Sequence, residues 1–199
     1  MLKSIKIFIL LIVVVLVFNK QIISYALIYS FSKWTQYEIT LEKLQIDYIQ
    51  SLITVNGLRI KNPDEFYFDN IFESEKITLS YNPQSLLTTL ITYNNLIIEN
   101  PKFFVELIEE SPDTYDDNIG VAKLYIKNKP DKIWPDKDKK KDINFLILKT
   151  EIKGATVSLI TSFLSKPTEI DLSDMHFNEI GNEKGYQHYK DVFELIFLT

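Results

Sequence analysis

The sequence contains no cysteine, and this excludes disulfide bonds, thiolate catalysis and zinc sites built from cysteine. It has only five glycines, which argues against glycine-rich loops that cradle phosphate groups. Its two histidines, His176 and His188, fall in different predicted elements, so a zinc site would need carboxylates converging from elsewhere. The P-loop, G-x-S-x-G and H-E-x-x-H patterns are absent. We therefore expect no enzyme activity, no cofactor and no metal site.

The overall charge and apolar content narrow the class of protein further. A net charge of −5 gives no indication of nucleic-acid binding. Apolar residues make up 46% and aromatic residues 13% of the chain, too many for general disorder. A chain of 199 residues with an apolar N-terminal segment has room for one folded domain of average size.

The N-terminal segment is the longest apolar run in the sequence, Ile7 to Phe18, and two lysines precede it. It predicts an uncleaved transmembrane helix within an anchor domain, residues 1–33, followed by an exported domain, residues 34–199. The lysines place the N-terminus in the cytoplasm, with the chain in the inner membrane and its bulk in the periplasm. The alternatives are a signal peptide cleaved after a site at Ser24 to Ala26, and a buried core helix.

The main pattern is a twelve-residue unit that occurs twice, 38 residues apart. Leu52 to Pro63 reads LITVNGLRIKNP and Leu90 to Pro101 reads LITYNNLIIENP, with eight identities. Ile170 to Phe177 is a weaker third copy. Each copy alternates apolar and polar residues as a half-buried strand does. Asn-Pro is expected to end the strand in the first two copies, since proline cannot donate to a sheet ladder.

The alternation slips by one residue inside each copy, at Asn56-Gly57, Asn94-Asn95 and Ser173-Asp174. These residue types tolerate a positive φ, so the slip is either a β-bulge or a tight hairpin turn. A bulge is favoured because each half of the unit is too short for a useful hairpin arm. A similar slip between Leu41 and Leu44 predicts another bulge.

The remaining pattern predicts a mainly β fold: an N-terminal transmembrane helix, a curved antiparallel sheet of repeated bulged strands, and a closing C-terminal amphipathic helix. That helix is expected over Tyr186 to Leu198, and one helical turn over Asn82 to Leu87. Residues 106–117 form an acidic loop, for which a solvated turn is favoured over a Ca²⁺ site. Residues 127–142, with seven lysines and four aspartates, form a flexible charged loop. Strands are predicted at residues 52–61, 75–81, 90–99, 103–109, 119–127, 143–152 and 155–163.

Four segments together resemble the AsmA-like family of bacterial envelope proteins. The first is L-x-I-x-N-P at Leu58 to Pro63, with Phe66 soon after, and the second is I-x-L-x-Y-x-x-x-S-L-L at Ile77 to Leu87. The third is L-I-I-x-N-P-x-F-x-V-E at Leu96 to Glu106, and the fourth is I-x-L-x-D-M-x-F-x-x-I-G at Ile170 to Gly181. The resemblance implies an exported β-domain related to the repeating β-groove lipid-transfer proteins, in which acyl chains lie along an apolar sheet face.

On this basis the chain is expected to bind phospholipid acyl chains and to serve lipid transport or outer-membrane biogenesis. Its partners would be the inner membrane, a phospholipid and an envelope protein, with no nucleic acid. The residues expected to face lipid are Ile53, Val55, Leu58, Ile60, Ile77, Leu79, Ile91, Tyr93, Leu96 and Ile98. The alternative follows from the Asn-Pro after a strand, which resembles late-embryogenesis-abundant-type β-sandwiches. In that case the chain is a structural or assembly factor with a sealed core that docks another envelope protein.

Overall fold

The structure is a computed structural model, and it describes residues 21, 23–26, 28–29, 32, 37–62, 66–111, 114–118, 144–182, 187–188 and 191. Within these residues the chain forms eleven strands and one short 3₁₀-helix, Pro83–Leu87, and the described residues among 21–32 are helical. The strands are β1 (Ile39–Thr40), β2 (Lys43–Asp47), β3 (Leu52–Lys61), β4 (Asn70–Tyr81), β5 (Leu90–Ser111), β6 (Thr114–Asp117), β7 (Asn144–Lys153), β8 (Thr156–Thr161), β9 (Thr168–Asp171), β10 (Met175–Gly181) and β11 (Gln187–His188).

All eleven described strands belong to one sheet, with the central order β1-β3-β4-β5-β7-β10-β11. Three pairs of consecutive strands run almost end to end in the sheet, and two of them lie beside a common neighbour. β1 and β2 both pair with β3, β7 and β8 both pair with β5, and β9 and β10 pair with β8 and β7. The described residues therefore contain no second sheet of the kind that a β-sandwich requires.

The sheet is mixed, which corrects the prediction of an antiparallel sheet. β5 pairs in parallel with both β7 and β8, and β11 pairs in parallel with β10. Antiparallel neighbours can be joined by a tight hairpin, whereas parallel neighbours need a longer connection. The connection from β5 to β7 is of this longer kind and includes β6, which folds back antiparallel on the end of β5.

The helices predicted on either side of the sheet are contradicted. No helix in the described part of the chain is long and apolar enough to cross a membrane, and this finding contradicts the predicted single-pass helix in the inner membrane. The apolar run at residues 7–18 lies outside the described residues. At the other end, Gln187 and His188 form β11 inside the stretch expected to be an amphipathic helix. Pairing with Ile180 and Gly181 of β10 replaces helical structure there.

The repeat units are strands, as predicted, but they end differently. β3 and β5 each run through the slip without a break, so the hairpin interpretation is wrong for both copies. β3 ends at Lys61, just before Asn62, as expected. β5 instead passes through Asn100-Pro101 and continues to Ser111, so this second Asn-Pro does not stop its strand. In the third copy the ladder breaks between β9 and β10, at residues 172–174.

Other local predictions have mixed outcomes. The helical turn before the second repeat is confirmed as the 3₁₀-helix, which Asn82 caps through its side chain. The strands expected at residues 143–152 and 155–163 correspond to β7 and β8, and residues 103–109 belong to β5 rather than to a separate strand. The prediction of an acidic loop at residues 106–117 is wrong in part, because β5 extends to Ser111 and β6 forms most of the remainder. The strand predicted at 119–127 and the charged loop at 127–142 lie outside the described residues.

Candidate functional site

The strands share an interruption that reverses which residues face the apolar side of the sheet. In the chain between β7 and β8, Ile152 and Ala155 are buried, while Lys153 and Gly154 between them are exposed. Two consecutive outward residues break the period-two pattern, so the residues facing one side change from even to odd numbers. Gly154 has a φ of +61° and Gly57 in β3 a φ of +60°, values that favour glycine.

The interruptions line up across six strand positions to form a band that we call the crease. Direct pairing connects Asn56 with Lys76, Lys76 with Glu99, and Glu99 with Lys153. Lys43 pairs with Asn56 at the outer end of this row. The crease consists of residues 42–43, 56–57, 75–76, 99–100, 153–154 and 173–174. Because every strand slips at the same place, the sheet keeps its register while its apolar pattern changes phase.

The change of phase at the crease, together with a separate bulge at Asn94 where the register shifts between Ser80 and Tyr81, places all ten predicted lipid-facing residues on one side, which we call the apolar face. Direct pairing aligns two rows of three on β3, β4 and β5. The rows are Ile53, Leu79 and Leu96, and Val55, Ile77 and Ile98. Leu58 and Ile60 follow across the crease, and Ile60 pairs with Phe72. Tyr93 pairs with Ile147, which packs against the main apolar cluster, and Ile91 precedes Tyr93 by two residues on the same face.

The apolar face has a buried centre and a half-buried margin. Its main cluster is formed by Phe103, Ile152, Ala155, Phe177 and Ile180, all at most 9% exposed. Of the ten predicted residues, Ile98 packs against this cluster and Ile60 packs against a second one formed by Tyr37 and Ile71. Every one of the ten is half-buried. In the described part of the chain, the extensive strand-to-strand contacts are those between neighbours in the sheet, and the 3₁₀-helix and residues 66–69 contact β5. No described element therefore lies across the apolar face as a second layer.

Thr150 and Tyr93 place polar groups on the apolar side. Thr150 is 4% exposed, lies between Leu96 and Phe177 in the sheet, and its hydroxyl has no hydrogen-bond partner. Burial raises the pKa of the Tyr93 phenol above its ordinary value.

The opposite side of the crease is a charged groove with a cavity of about 260 Å³, bordered by β3, β4 and β5. The Arg59 guanidinium lies 2.7 Å from the Glu42 carboxylate, and the Lys76 ammonium lies 2.7 Å from the Glu99 carboxylate. Asn100 Nδ2 donates to the Glu75 carboxylate over 2.7 Å. These acids are matched by neighbouring donors, so the groove presents no concentrated charge of one sign.

Further along the crease, Lys153 and Glu151 form an exposed ion pair at 2.6 Å. The hydrogen bond from Lys153 lowers the pKa of the Glu151 carboxyl, and the same contact raises the pKa of the Lys153 ammonium. His176 of β10 pairs with Glu151 of β7, whereas His188 of β11 pairs with Gly181 of β10. No group of histidines and carboxylates among the described residues is arranged to hold a metal ion.

Sequence reasoning missed a buried polar cluster where β5 passes the end of β3. Asn118 is 0% exposed; its Oδ1 accepts from the Glu106 backbone N–H over 2.9 Å. Its Nδ2 donates to Asn62 Oδ1 and to the Phe104 carbonyl, over 3.2 and 2.8 Å. The only sequence signal was Asn62 itself, which had been interpreted as part of a strand terminator.

The same cluster holds the aromatic connection before β4. The Glu106 carboxylate accepts a hydrogen bond from the Tyr67 backbone N–H, and Asn62 Nδ2 donates to the Phe68 carbonyl over 3.0 Å. The Phe68 ring packs on Phe104, with 5.2 Å between centroids. Glu106 is thus a buried structural carboxylate rather than a member of a solvated acidic loop.

Comparisons with known proteins add no family to this description. The sequence matches no model of a known protein family, and no curated protein is significantly similar to it.

Proposed function

We propose that the chain is a lipid-binding module whose apolar face holds acyl chains and which serves lipid transport in a cell envelope. The observation that carries this proposal is the placement of ten half-buried apolar and aromatic residues on one side of a single sheet. A soluble domain that needed only a sealed core would bury such a face under a second layer. The resemblance to AsmA-like proteins supports the proposal by analogy.

The dimensions of the face suit an extended apolar ligand. The half-buried residues Ile53, Val55, Leu58 and Ile60 follow one another along β3 on this face. The seven residue steps from Ile53 to Ile60, at about 3.3 Å each, give a row of about 23 Å, comparable to a common fatty acyl chain. Each methylene removed from water contributes about 0.8 kcal/mol, so partial cover of such a chain gives useful affinity.

The two sides of the sheet differ in a way that directs the ligand. At the crease, the residues between the apolar positions are charged or amide-bearing, and they form ion pairs and hydrogen bonds on the opposite side. Burying those groups against an acyl chain would cost their hydration. The ligand therefore contacts the apolar face and leaves the charged groove in water.

The test is native mass spectrometry with lipid extraction on the full chain, purified from cells without detergent. We expect a bound phospholipid or fatty acid. A photoreactive fatty acid should crosslink to apolar-face positions such as Ile77, and not to the adjacent outward residue Lys76.

The variants Ile77→Gln and Lys76→Gln provide a matched comparison on one strand. Ile77→Gln should lower lipid occupancy several-fold, whereas Lys76→Gln should leave it unchanged, with circular dichroism showing that both are folded. A clean apo mass together with crosslinks spread over both sides would overturn the proposal. That result would favour the structural or assembly role, with a protein rather than a lipid as ligand.

A further inference from the structure

We infer that the outer edge of β9 accepts a β-strand from a protein partner whose residues alternate between apolar and basic. This inference concerns an edge of the sheet and does not rest on lipid binding. β9 pairs with β8 on one side and with no described strand on the other. All four of its residues, Thr168 to Asp171, are exposed. An open strand edge of this kind is a template for adding a strand.

The backbone of β9 has groups available for such pairing. The Leu172 N–H donates to the Ala155 carbonyl over 2.8 Å, next to the end of β9. In an antiparallel pair, bonded and non-bonded positions alternate, so Ile170 and Thr168 face β8 in the ladder. Glu169 and Asp171 therefore direct their backbone N–H and C=O groups to the open edge.

The apolar face supplies the first half of the recognition pattern. One continuous row of apolar residues crosses β4, β5, β8 and β9, and it consists of Phe72, Phe103, Val157 and Ile170. Exposure rises from 5% at Phe103 to 45% at Ile170, where the row ends. In the turn before β9, Phe163 is 72% exposed. An apolar residue on an added strand would continue the row and cover Ile170.

The negative charge of Glu169 and Asp171 supplies the second half of the recognition pattern. Glu169 and Asp171 project on the other side, and their neighbours on β8 are the uncharged Ser158 and Thr156. Neither carboxylate forms an ion pair within the described residues. A second copy of β9 paired about Ile170 would set Glu169 opposite Asp171, so like charges disfavour self-association. Basic residues at those positions complement both carboxylates.

The experiment uses the full chain and a fluorescein-labelled nine-residue peptide that alternates valine and lysine, followed by fluorescence anisotropy. We expect it to bind at least tenfold more tightly than a peptide alternating valine and glutamate. The same valine–lysine peptide with N-methyl groups at alternate positions keeps its charge but cannot complete the ladder, and it should lose binding. Backbone hydrogen exchange should show protection at Glu169 and Asp171.

The variant pair Glu169→Lys with Asp171→Lys should reverse the peptide preference. Glu38→Lys with Asp69→Lys makes the same change in net charge away from β9, and it should leave the preference unchanged. The inference is overturned if both double variants act alike, if the N-methylated peptide binds as well as its parent, or if protection falls elsewhere. Failure here would leave the lipid test unaffected, because the two experiments use different surfaces and probes.

Discussion

Asn100 and Gly154 occupy adjacent positions on parallel neighbours, and both have left-handed backbone conformations, with φ of 49° and 61°. The Asn100 side chain fills the space beside Gly154, so that a Cβ built on this glycine would lie 2.5 Å from Asn100 Oδ1. Asn100 Nδ2 is held by the Glu75 carboxylate at 2.7 Å. The crease thus depends on backbone conformations that asparagine and glycine tolerate and other residues resist.

Replacing Gly154 by alanine should therefore destabilise the fold by about 2 kcal/mol, from the left-handed backbone and the crowded carboxamide together. The measurement is the free energy of unfolding by urea. The same substitution in an Asn100→Gly background should cost less, because only the backbone contribution remains. A loss below about 0.5 kcal/mol in the wild-type background would contradict this account of the crease.

Much of this crease could be predicted from sequence, because a break in period-two alternation is a local signal. The slips at Asn56-Gly57, Asn94-Asn95 and Ser173-Asp174 fall where predicted. The slip at Asn100 was missed because Asn-Pro was interpreted as a strand terminator. Proline is tolerated there because Pro101 lies next to the irregular position, where the regular ladder is already interrupted.

The parts that could not be predicted depend on contacts between distant residues. Nothing local in Leu90–Ser111 indicates that its neighbour will be parallel, since strand pairing is decided by the whole sheet. The helical spacing near the C-terminus gave a wrong prediction because pairing of Gln187 and His188 with β10 outweighs a local preference. Asn118 stands in an acidic stretch without any pattern that marks it as buried.

Asn118 should be among the most sensitive polar positions. Asn118→Ala leaves the Glu106 N–H and the Phe104 carbonyl without their buried partner, and we expect a loss of about 3 kcal/mol in the free energy of unfolding. Asn178→Ala, at an exposed position of β10, is the control and should change stability by less than about 0.5 kcal/mol. Equal effects of the two substitutions would show that the buried cluster does not stabilise the sheet.

Replacing Thr150 should raise the stability of the protein rather than lower it. Its buried hydroxyl has no partner, so Thr150→Val keeps the shape of the side chain and removes an unpaired polar group. The free energy of unfolding should rise by about 1 kcal/mol. Thr54→Val, at a half-buried position of β3, is the comparison, and it should have a smaller effect. A decrease in stability on Thr150→Val would mean that the hydroxyl has a favourable contact in the folded protein.

Tyr93, on the apolar face, should make the stability of the protein depend on pH in the alkaline range. Burial raises the pKa of its phenol above the ordinary value of about 10, so the folded protein holds this proton more tightly than the unfolded chain does. Below about pH 10 both states are protonated and the contribution of Tyr93 is constant; above it the unfolded chain loses the proton first, and stability falls as pH rises towards the native pKa.

Tyr93→Phe keeps the ring and removes the titrating group, so its urea unfolding free energy should fall less than that of the wild type between about pH 8 and about pH 11. All other residues are the same in both proteins, so the difference between the two curves isolates Tyr93. Parallel curves over this range would show that the phenol is as well hydrated in the folded sheet as in the unfolded chain.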